Sequence, residues 1–172
     1  VNFGKMTNGT TTTIGTGGCG PTALANVYRN ITGRTDVTPT TVANMAIDNG
    51  YTTNGGSNAG LFTEGAGKLG LATQRIGPND LGNALSRGDS LILSGVKKGS
   101  GSPYTTSGHI ISVKGMKNGK AIVQDPMKSS STTMPLSNLT AGLNKAWAVT
   151  GANGYGNMSW DSSSNIGYGP LR

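Results

Sequence analysis

Cysteine and histidine are nearly absent from this 172-residue chain, which contains one of each, Cys19 and His109. A single cysteine cannot form an internal disulfide, and it excludes a cysteine-rich zinc module. A single histidine excludes a histidine-rich metal cage, and the seven acidic residues are too dispersed for an acidic calcium loop. We therefore expect neither a metal site nor a cofactor.

Charged residues and long apolar runs are also scarce. Charged residues make up 12% of the chain, and no apolar run approaches the roughly 20 residues of a membrane helix, so we expect no membrane span. Lysine and arginine nevertheless outnumber aspartate and glutamate by 14 to 7, giving a net charge of +7. The basic residues are scattered and aromatic residues are few, which argues against nucleic-acid binding. A diffuse positive charge suits an anionic matrix such as a bacterial cell wall.

Glycine is abundant, with 29 residues, and predicts many turns and short elements. Apolar residues recur at helical spacing early in the chain, whereas short apolar or alternating segments follow later. The predicted helices are 19–31, 39–49, 59–69 and 78–86, and the predicted strands are 90–96, 109–115, 121–124 and 146–150. Helices followed by antiparallel strands indicate an α+β fold rather than alternating βαβ units.

The polar segments between these elements set the predicted domain organisation. Residues 1–18 are expected to form an ordered loop or an extended arm, and 1–150 to form one domain. Residues 151–172 are rich in glycine, serine and asparagine and are expected to be a tail or linker. Two further loops, 51–59 and 98–107, are expected to flank a cleft because binding residues concentrate on loops.

The single cysteine and the single histidine both fall at predicted element ends. Cys19 lies at or just before a helix N-terminus, and a thiol there or beside an imidazolium has a pKa below the usual value of about 8.5. His109 opens a strand, and Asp125 ends the strand that returns after the Asn118-Gly119 turn, which is a strong hairpin pattern. The hairpin should bring His109 and Asp125 together, so that the acid orients the imidazole.

Each of these three residues also has a purely structural interpretation. A lone cysteine is usually a small buried apolar residue. A lone histidine is more often a surface or core residue than a catalyst, and an aspartate before proline is a common turn former. Their joint placement favours a Cys–His–Asp triad.

Three segments resemble the C39-like branch of the papain-like cysteine peptidases. Cys19–Ala25 resembles the nucleophile motif of that branch, Gly108–Val113 its histidine strand, and Asn118–Pro126 its hairpin and acid. The resemblance covers roughly residues 10–150. It implies a papain-like fold, in which N-terminal helices carry the nucleophile at a helix start and pack on a C-terminal antiparallel sheet.

One position departs from the family pattern. The family usually has a glutamine upstream of the cysteine that serves the oxyanion hole, and residues 1–18 contain no glutamine. Thr13 or Asn8 is the expected replacement donor. A weaker oxyanion hole would cost about 10²–10³ in rate.

The resemblance implies acyl transfer through Cys19, His109 and Asp125, with two established uses. One use is the trimming of leader peptides at double-glycine sites beside an ABC exporter. The other is the cleavage of peptidoglycan peptides by secreted or phage-borne lysins. The basic charge, polar composition and linker-like tail favour a peptidoglycan endopeptidase or amidase, outside the cell and associated with a cell wall or virion, alone or within a larger multidomain or virion protein. The alternatives are a leader-processing peptidase and an inactive wall-binding module.

Overall fold

The computed structural model describes most of the predicted domain. The described residues are 2–5, 11–13, 19–53, 56–95, 109–126, 128, 130–140 and 142–151, with the backbone alone at 2–5, 11–13, 53 and 56. The predicted loop 98–107 and the predicted tail beyond residue 151 lie outside them, as does Asn8.

Two pairs of short strands stand apart from the main sheet. β1 (Asn2–Lys5) pairs antiparallel with β2 (Thr11–Thr13), and β3 (Thr52–Thr53) pairs with β4 (Gly56–Ser57). The N-terminal segment therefore contains a paired ribbon, where we predicted an ordered loop or an extended arm.

In the part of the chain that the structure describes, four α-helices occupy the segments where helical spacing predicted them. They are α1 (Cys19–Thr32), α2 (Pro39–Asn49), α3 (Glu64–Lys68) and α4 (Leu81–Ser86). Short 3-10 turns at Ala59–Phe62 and Pro78–Asp80 precede α3 and α4, so each of these weaker predicted helices is divided in two. Of the helices in the described residues, none combines the length and hydropathy that crossing a membrane requires.

The caps of α2 explain why its bounds were predictable. The Thr38 side chain accepts a hydrogen bond from the Thr41 amide at the start, and Pro39 occupies the first turn, where its missing N–H is not needed. At the other end Gly50 adopts φ 75°, a left-handed conformation that glycine reaches without steric cost.

Six strands form one antiparallel sheet. They are β5 (Leu71–Ile76), β6 (Ser90–Ser94), β7 (Ile110–Lys117), β8 (Lys120–Gln124), β9 (Thr132–Met134) and β10 (Lys145–Gly151). Their order across the sheet is β5-β10-β6-β7-β8-β9. The α+β prediction is confirmed, and the sheet has two edge strands, β5 and β9, that sequence pattern did not indicate.

The core lies on both faces of this sheet. On one face α1 and α2 pack against the side chains of Ile92 and Trp147. On the other face α4 packs against Leu91 and Leu93, the neighbours of Ile92 on β6. Because successive strand residues point to opposite faces, β6 is buried on both sides and appears in the sequence as an unbroken apolar run.

A buried carboxylate lies between α4 and β6 and leads to a stability prediction. Asp89 is 5% exposed and forms a 2.8 Å ion pair with Arg87. Burial raises the pKa of Asp89 more than the Arg87 hydrogen bond and charge lower it. The folded state therefore binds the carboxyl proton of Asp89 more tightly than the unfolded state does. The free energy of unfolding consequently falls as the pH rises from the unfolded-state pKa of Asp89 through its higher folded-state pKa.

We expect Asp89→Asn to raise the melting temperature at neutral pH and to have a smaller effect in acid, where Asp89 is already protonated. Differential scanning calorimetry across the acid range measures both. Asp36→Asn is the matched control, because Asp36 also pairs with an arginine two positions earlier but its side chain is 51% exposed. An equal gain in both variants would contradict the assignment of the effect to burial.

Candidate active site

Cys19 is the first residue of α1, as its motif predicted, and its thiol is free and partly exposed. The helix packs along β6, β7 and β10 on one face of the sheet. A helix N-terminus carries partial positive charge from its unpaired N–H groups, and Cys19 lies at this end of α1.

The β3–β4 segment packs directly against the first turn of α1. A Cβ atom on Gly20 would lie 2.9 Å from Ser57 Cβ and 3.3 Å from Phe62 Cζ, so only glycine fits there. The Ser57 hydroxyl is buried in this contact and has no hydrogen-bond partner among the described residues. The contact places one end of the predicted cleft loop 51–59 beside Cys19.

His109 and Asp125 meet at the open end of the β7–β8 hairpin. His109 immediately precedes β7 and Asp125 immediately follows β8, and Asn118 and Gly119 close the hairpin with φ of 53° and 78°. Both side chains are buried, and His109 Nε2 lies 2.6 Å from Asp125 Oδ1. The predicted His–Asp pairing across the hairpin is therefore present in the structure.

The imidazole of His109 also contacts Cys19, the third predicted catalytic residue. Nε2 lies against Asp125, and the imidazole is also hydrogen-bonded to the Cys19 side chain. Burial is the largest influence on the pKa of His109 and lowers it. The hydrogen bonds to Cys19 and Asp125 and their negative charges together outweigh burial, and the pKa of His109 lies above its ordinary value of 6.5. The structure thus brings the three predicted catalytic residues, Cys19, His109 and Asp125, into one chain of contacts.

The predicted oxyanion donors have no described side chain. Thr13 belongs to β2, where the backbone alone is described, and Asn8 lies outside the described residues. Their role stays a prediction. In the described part of the chain, no three His, Cys, Asp or Glu residues cluster in a way that could hold a metal ion.

Sequence pattern missed a polar cluster between α1 and the hairpin, formed by Asn30, Ser90, Ser112 and Gln124. Each of the four residues lies on a different element, so no local sequence motif indicates them. The one available indication is that Ser112 interrupts the apolar run Ile110–Val113, and in the structure Ser112 is fully buried.

The pKa of His109 leads to a prediction for Asp125. Removing the carboxylate in Asp125→Ala deletes a hydrogen bond and a charge that raise the pKa of His109. The alkaline limb of the pH–rate profile, where the imidazolium loses its proton, should therefore move to lower pH. Asp125→Asn retains an oxygen for the Nε2–H group and should shift the limb less. Hydrolysis rates across neutral and alkaline pH measure both variants, and an unmoved limb in Asp125→Ala would contradict the role of the pair.

The contact at Gly20 leads to a second prediction. Gly20→Ala forces Ser57 and Phe62 away from the helix start, at a cost of about 1–3 kcal/mol in unfolding free energy. Because the change displaces the residue next to Cys19, we also expect slower alkylation of the thiol. Gly67→Ala in α3 is the control, since a Cβ there meets nothing within 4 Å. Chemical denaturation and iodoacetamide kinetics provide the measurements, and equal stability of both variants would contradict the packing argument.

Known proteins share both the sequence pattern and the fold of this chain. A model of the Peptidase_C39 like family matches residues 4–155. The fold is similar to the peptidase domain of Streptococcus ComA, a bifunctional ABC transporter involved in a quorum-sensing pathway, with 22% identity, a TM-score of 0.60, and coverage of 78% of this chain and 91% of that one. It is also similar to a Bacillus anthracis protein described as a C39-like peptidase, with 14% identity, a TM-score of 0.55, and coverage of 77% and 88%. No protein of curated function matches. The predicted papain-like arrangement of helices on an antiparallel sheet is thus confirmed.

Proposed function

The chain belongs to the Peptidase_C39 like family, and on that premise we propose that it is a cysteine hydrolase that cleaves amide bonds in bacterial peptidoglycan. The observation that carries the hydrolase assignment is the position of His109, hydrogen-bonded to Asp125 on one side and to Cys19 on the other. These three residues are the proposed catalytic residues.

The proposed reaction is acyl transfer through a thioester. The Cys19 thiolate attacks the amide carbonyl, and its sulfur–carbon bond forms as the carbonyl π electrons move to oxygen. The protonated His109 then gives its proton to the leaving amine as the carbon–nitrogen bond breaks. Water then attacks the thioester as His109 takes its proton, and the carbon–sulfur bond breaks, which releases the acid and restores the Cys19 thiolate and the protonated His109. Asp125 orients the imidazole throughout, and the Cys19 N–H with Thr13 or Asn8 would hold the oxyanion.

The choice of peptidoglycan rests on charge and composition. The net charge of +7 is spread over a chain with few aromatic residues, which suits binding along an anionic wall rather than stacking on nucleic-acid bases. The three lysines nearest the hairpin turn, Lys114, Lys117 and Lys120, are all exposed. A secreted, wall-associated or virion-associated setting follows from this substrate and belongs to the same proposal.

The leader-processing alternative is supported by one specific observation. The Streptococcus ComA structure, which covers 78% of this chain, is the peptidase domain of a bifunctional ABC transporter. A peptidase of that kind would cut short peptides after a double glycine and would have no activity on assembled wall. An inactive wall-binding module is the remaining alternative, because the upstream glutamine is replaced.

A substrate panel distinguishes these three functions. Purified peptidoglycan of several chemotypes and synthetic peptides containing a double-glycine site are incubated with the protein, and free amines and reducing ends are measured. The matched blank is protein pretreated with iodoacetamide, which blocks Cys19, the one thiol in the chain. We expect new amines from peptidoglycan, no reducing ends, and no release by the blank.

Other results would contradict the proposal in recognisable ways. Cleavage of the double-glycine peptides alone would favour the leader-processing function. Wall binding without amine release, by protein with an unmodified thiol, would favour the binding module. Amine release that survives alkylation would exclude Cys19 as the nucleophile.

A further inference from the structure

A pair of side-chain amides links α1 to the strand that ends at Asp125. Asn30 Nδ2 donates to Gln124 Oε1 at 2.8 Å, and Gln124 Nε2 donates back to Asn30 Oδ1 at 3.1 Å. Gln124 Oε1 also accepts from the Ser112 hydroxyl on β7 at 2.9 Å. Gln124 therefore contacts the helix that carries Cys19 and the strand that follows His109, and it is the chain neighbour of Asp125.

The same cluster extends to the centre of the sheet. Asn30 Nδ2 also lies 3.1 Å from the Ser90 hydroxyl on β6, and that hydroxyl donates to the Lys114 carbonyl on β7 at 3.5 Å. Ser90 and Ser112 are 1% and 0% exposed. Hydrogen bonds between buried polar groups are directional and costly to break, so the cluster fixes one geometry.

Apolar contacts also hold α1 against the sheet. Leu24, Val27 and Tyr28 pack against Ile92, Trp147 and their neighbours. Apolar attraction depends on buried area and has no direction, so it holds the helix on the sheet with little control over small sliding or rotation. The amide pair, by contrast, is a directional contact that joins α1 to β8.

We propose that Gln124 is a positioning residue of the active site, which uses its paired amide with Asn30 to set the position of α1 and hence the contact between Cys19 and His109. The inference rests on the proposed function, because it assigns a role to the Cys19–His109 contact. It extends that function because the residues that set the Cys19–His109 contact lie at the opposite end of α1 from Cys19. At about 1.5 Å per residue, Asn30 lies roughly 16 Å from Cys19 along the helix axis.

The summed length of the Asn30 and Gln124 side chains provides a specific test. Gln124→Asn shortens one partner by a methylene and should separate the amides. The exchanged double variant Asn30→Gln with Gln124→Asn restores the summed length while keeping both groups polar. The readout is the rate of Cys19 alkylation by iodoacetamide in mildly acidic buffer, where a thiol without an imidazolium partner reacts slowly. This readout needs no substrate.

We expect Gln124→Asn to alkylate about tenfold more slowly than wild type, since a displacement of about an ångström in a reactive pair has effects of this size or larger. The exchanged double variant should recover most of that loss. Val27→Ala is the stability control, because Val27 is fully buried on α1 and its apolar side chain takes no part in the hydrogen bonds of the amide cluster. It should lower the melting temperature and leave alkylation near the wild-type rate.

Three results would overturn the assignment of Gln124. The first is a wild-type rate of Cys19 alkylation in Gln124→Asn. The second is a slowing of alkylation in Val27→Ala equal to that in Gln124→Asn, and the third is an exchanged double variant whose alkylation stays as slow as that of Gln124→Asn. His109→Ala separates this failure from failure of the proposed function. If His109→Ala alkylates at the wild-type rate, the Cys19–His109 pair itself is wrong and both proposals fail. If Cys19 is alkylated slowly in His109→Ala but at the wild-type rate in Gln124→Asn, only the positioning role of Gln124 fails.

Discussion

Replacing Cys19 by alanine is expected to reduce amide hydrolysis by about 10⁴–10⁶-fold, the size of loss seen when an enzyme nucleophile is removed. Cys19 is the single thiol of the chain, so no neighbouring cysteine can substitute for it. It stands at the start of α1 and hydrogen-bonds to the buried His109. The measurement is the rate of amine release from the substrate that the panel identifies.

Cys19→Ser is the matched control for this prediction. Serine keeps a similar shape and a hydrogen-bonding group, but its hydroxyl is far less acidic than a thiol and is the weaker nucleophile beside the same histidine. We expect Cys19→Ser and Cys19→Ala to lose activity to a similar extent while both retain melting temperatures near that of the wild type. Substantial activity in either variant would show that another residue performs the attack.

Replacing His109 by alanine is expected to reduce the same rate by about 10²–10⁴-fold, the usual contribution of a general acid–base group. His109 is 8% exposed, and its Nε2 lies 2.6 Å from Asp125. The variant loses both the proton donor for the leaving amine and the cation beside the thiol. Its residual activity should increase toward alkaline pH, where the thiol ionises without help.

The double variant Cys19→Ala with His109→Ala tests whether the two residues act as one unit. Residues that act together show losses that do not add, so the double variant should be no slower than Cys19→Ala alone. A further loss in the double variant would mean that His109 contributes independently of Cys19, which the proposed mechanism does not allow.

The parts of the site that sequence could predict are those fixed by local geometry. The Asn118-Gly119 turn requires two residues with positive φ, and asparagine followed by glycine is the pair that adopts them most readily. Once that turn is placed, the ends of its two strands must be neighbours, and His109 and Asp125 occupy those ends 16 positions apart. The start of α1 at Cys19 follows in the same way from apolar spacing and the early proline.

The parts that sequence could not predict depend on contacts between distant segments. Asn30 and Gln124 are 94 positions apart, and nothing near either residue indicates the other. In strand β5, Leu71 is buried and the residues after it are partly or fully exposed. The strand therefore shows only a weak alternation of buried and exposed side chains. It becomes a strand because β10 supplies hydrogen-bond partners along its whole length. The strand β9 has three residues at the opposite edge and depends in the same way on β8.

The central claim is that Cys19, His109 and Asp125 form a reactive unit, and the pH dependence of Cys19 alkylation tests it most directly. The rate constant for iodoacetamide is measured from acidic to alkaline pH for the folded protein and for the same protein unfolded in denaturant, with the single thiol as the only target. We expect rapid alkylation of the folded protein well below pH 8.5, the usual pKa of a free thiol, and loss of this reactivity in His109→Ala. Folded protein that reacts only as the unfolded chain does, rising near pH 8.5 with or without His109, would contradict the central claim.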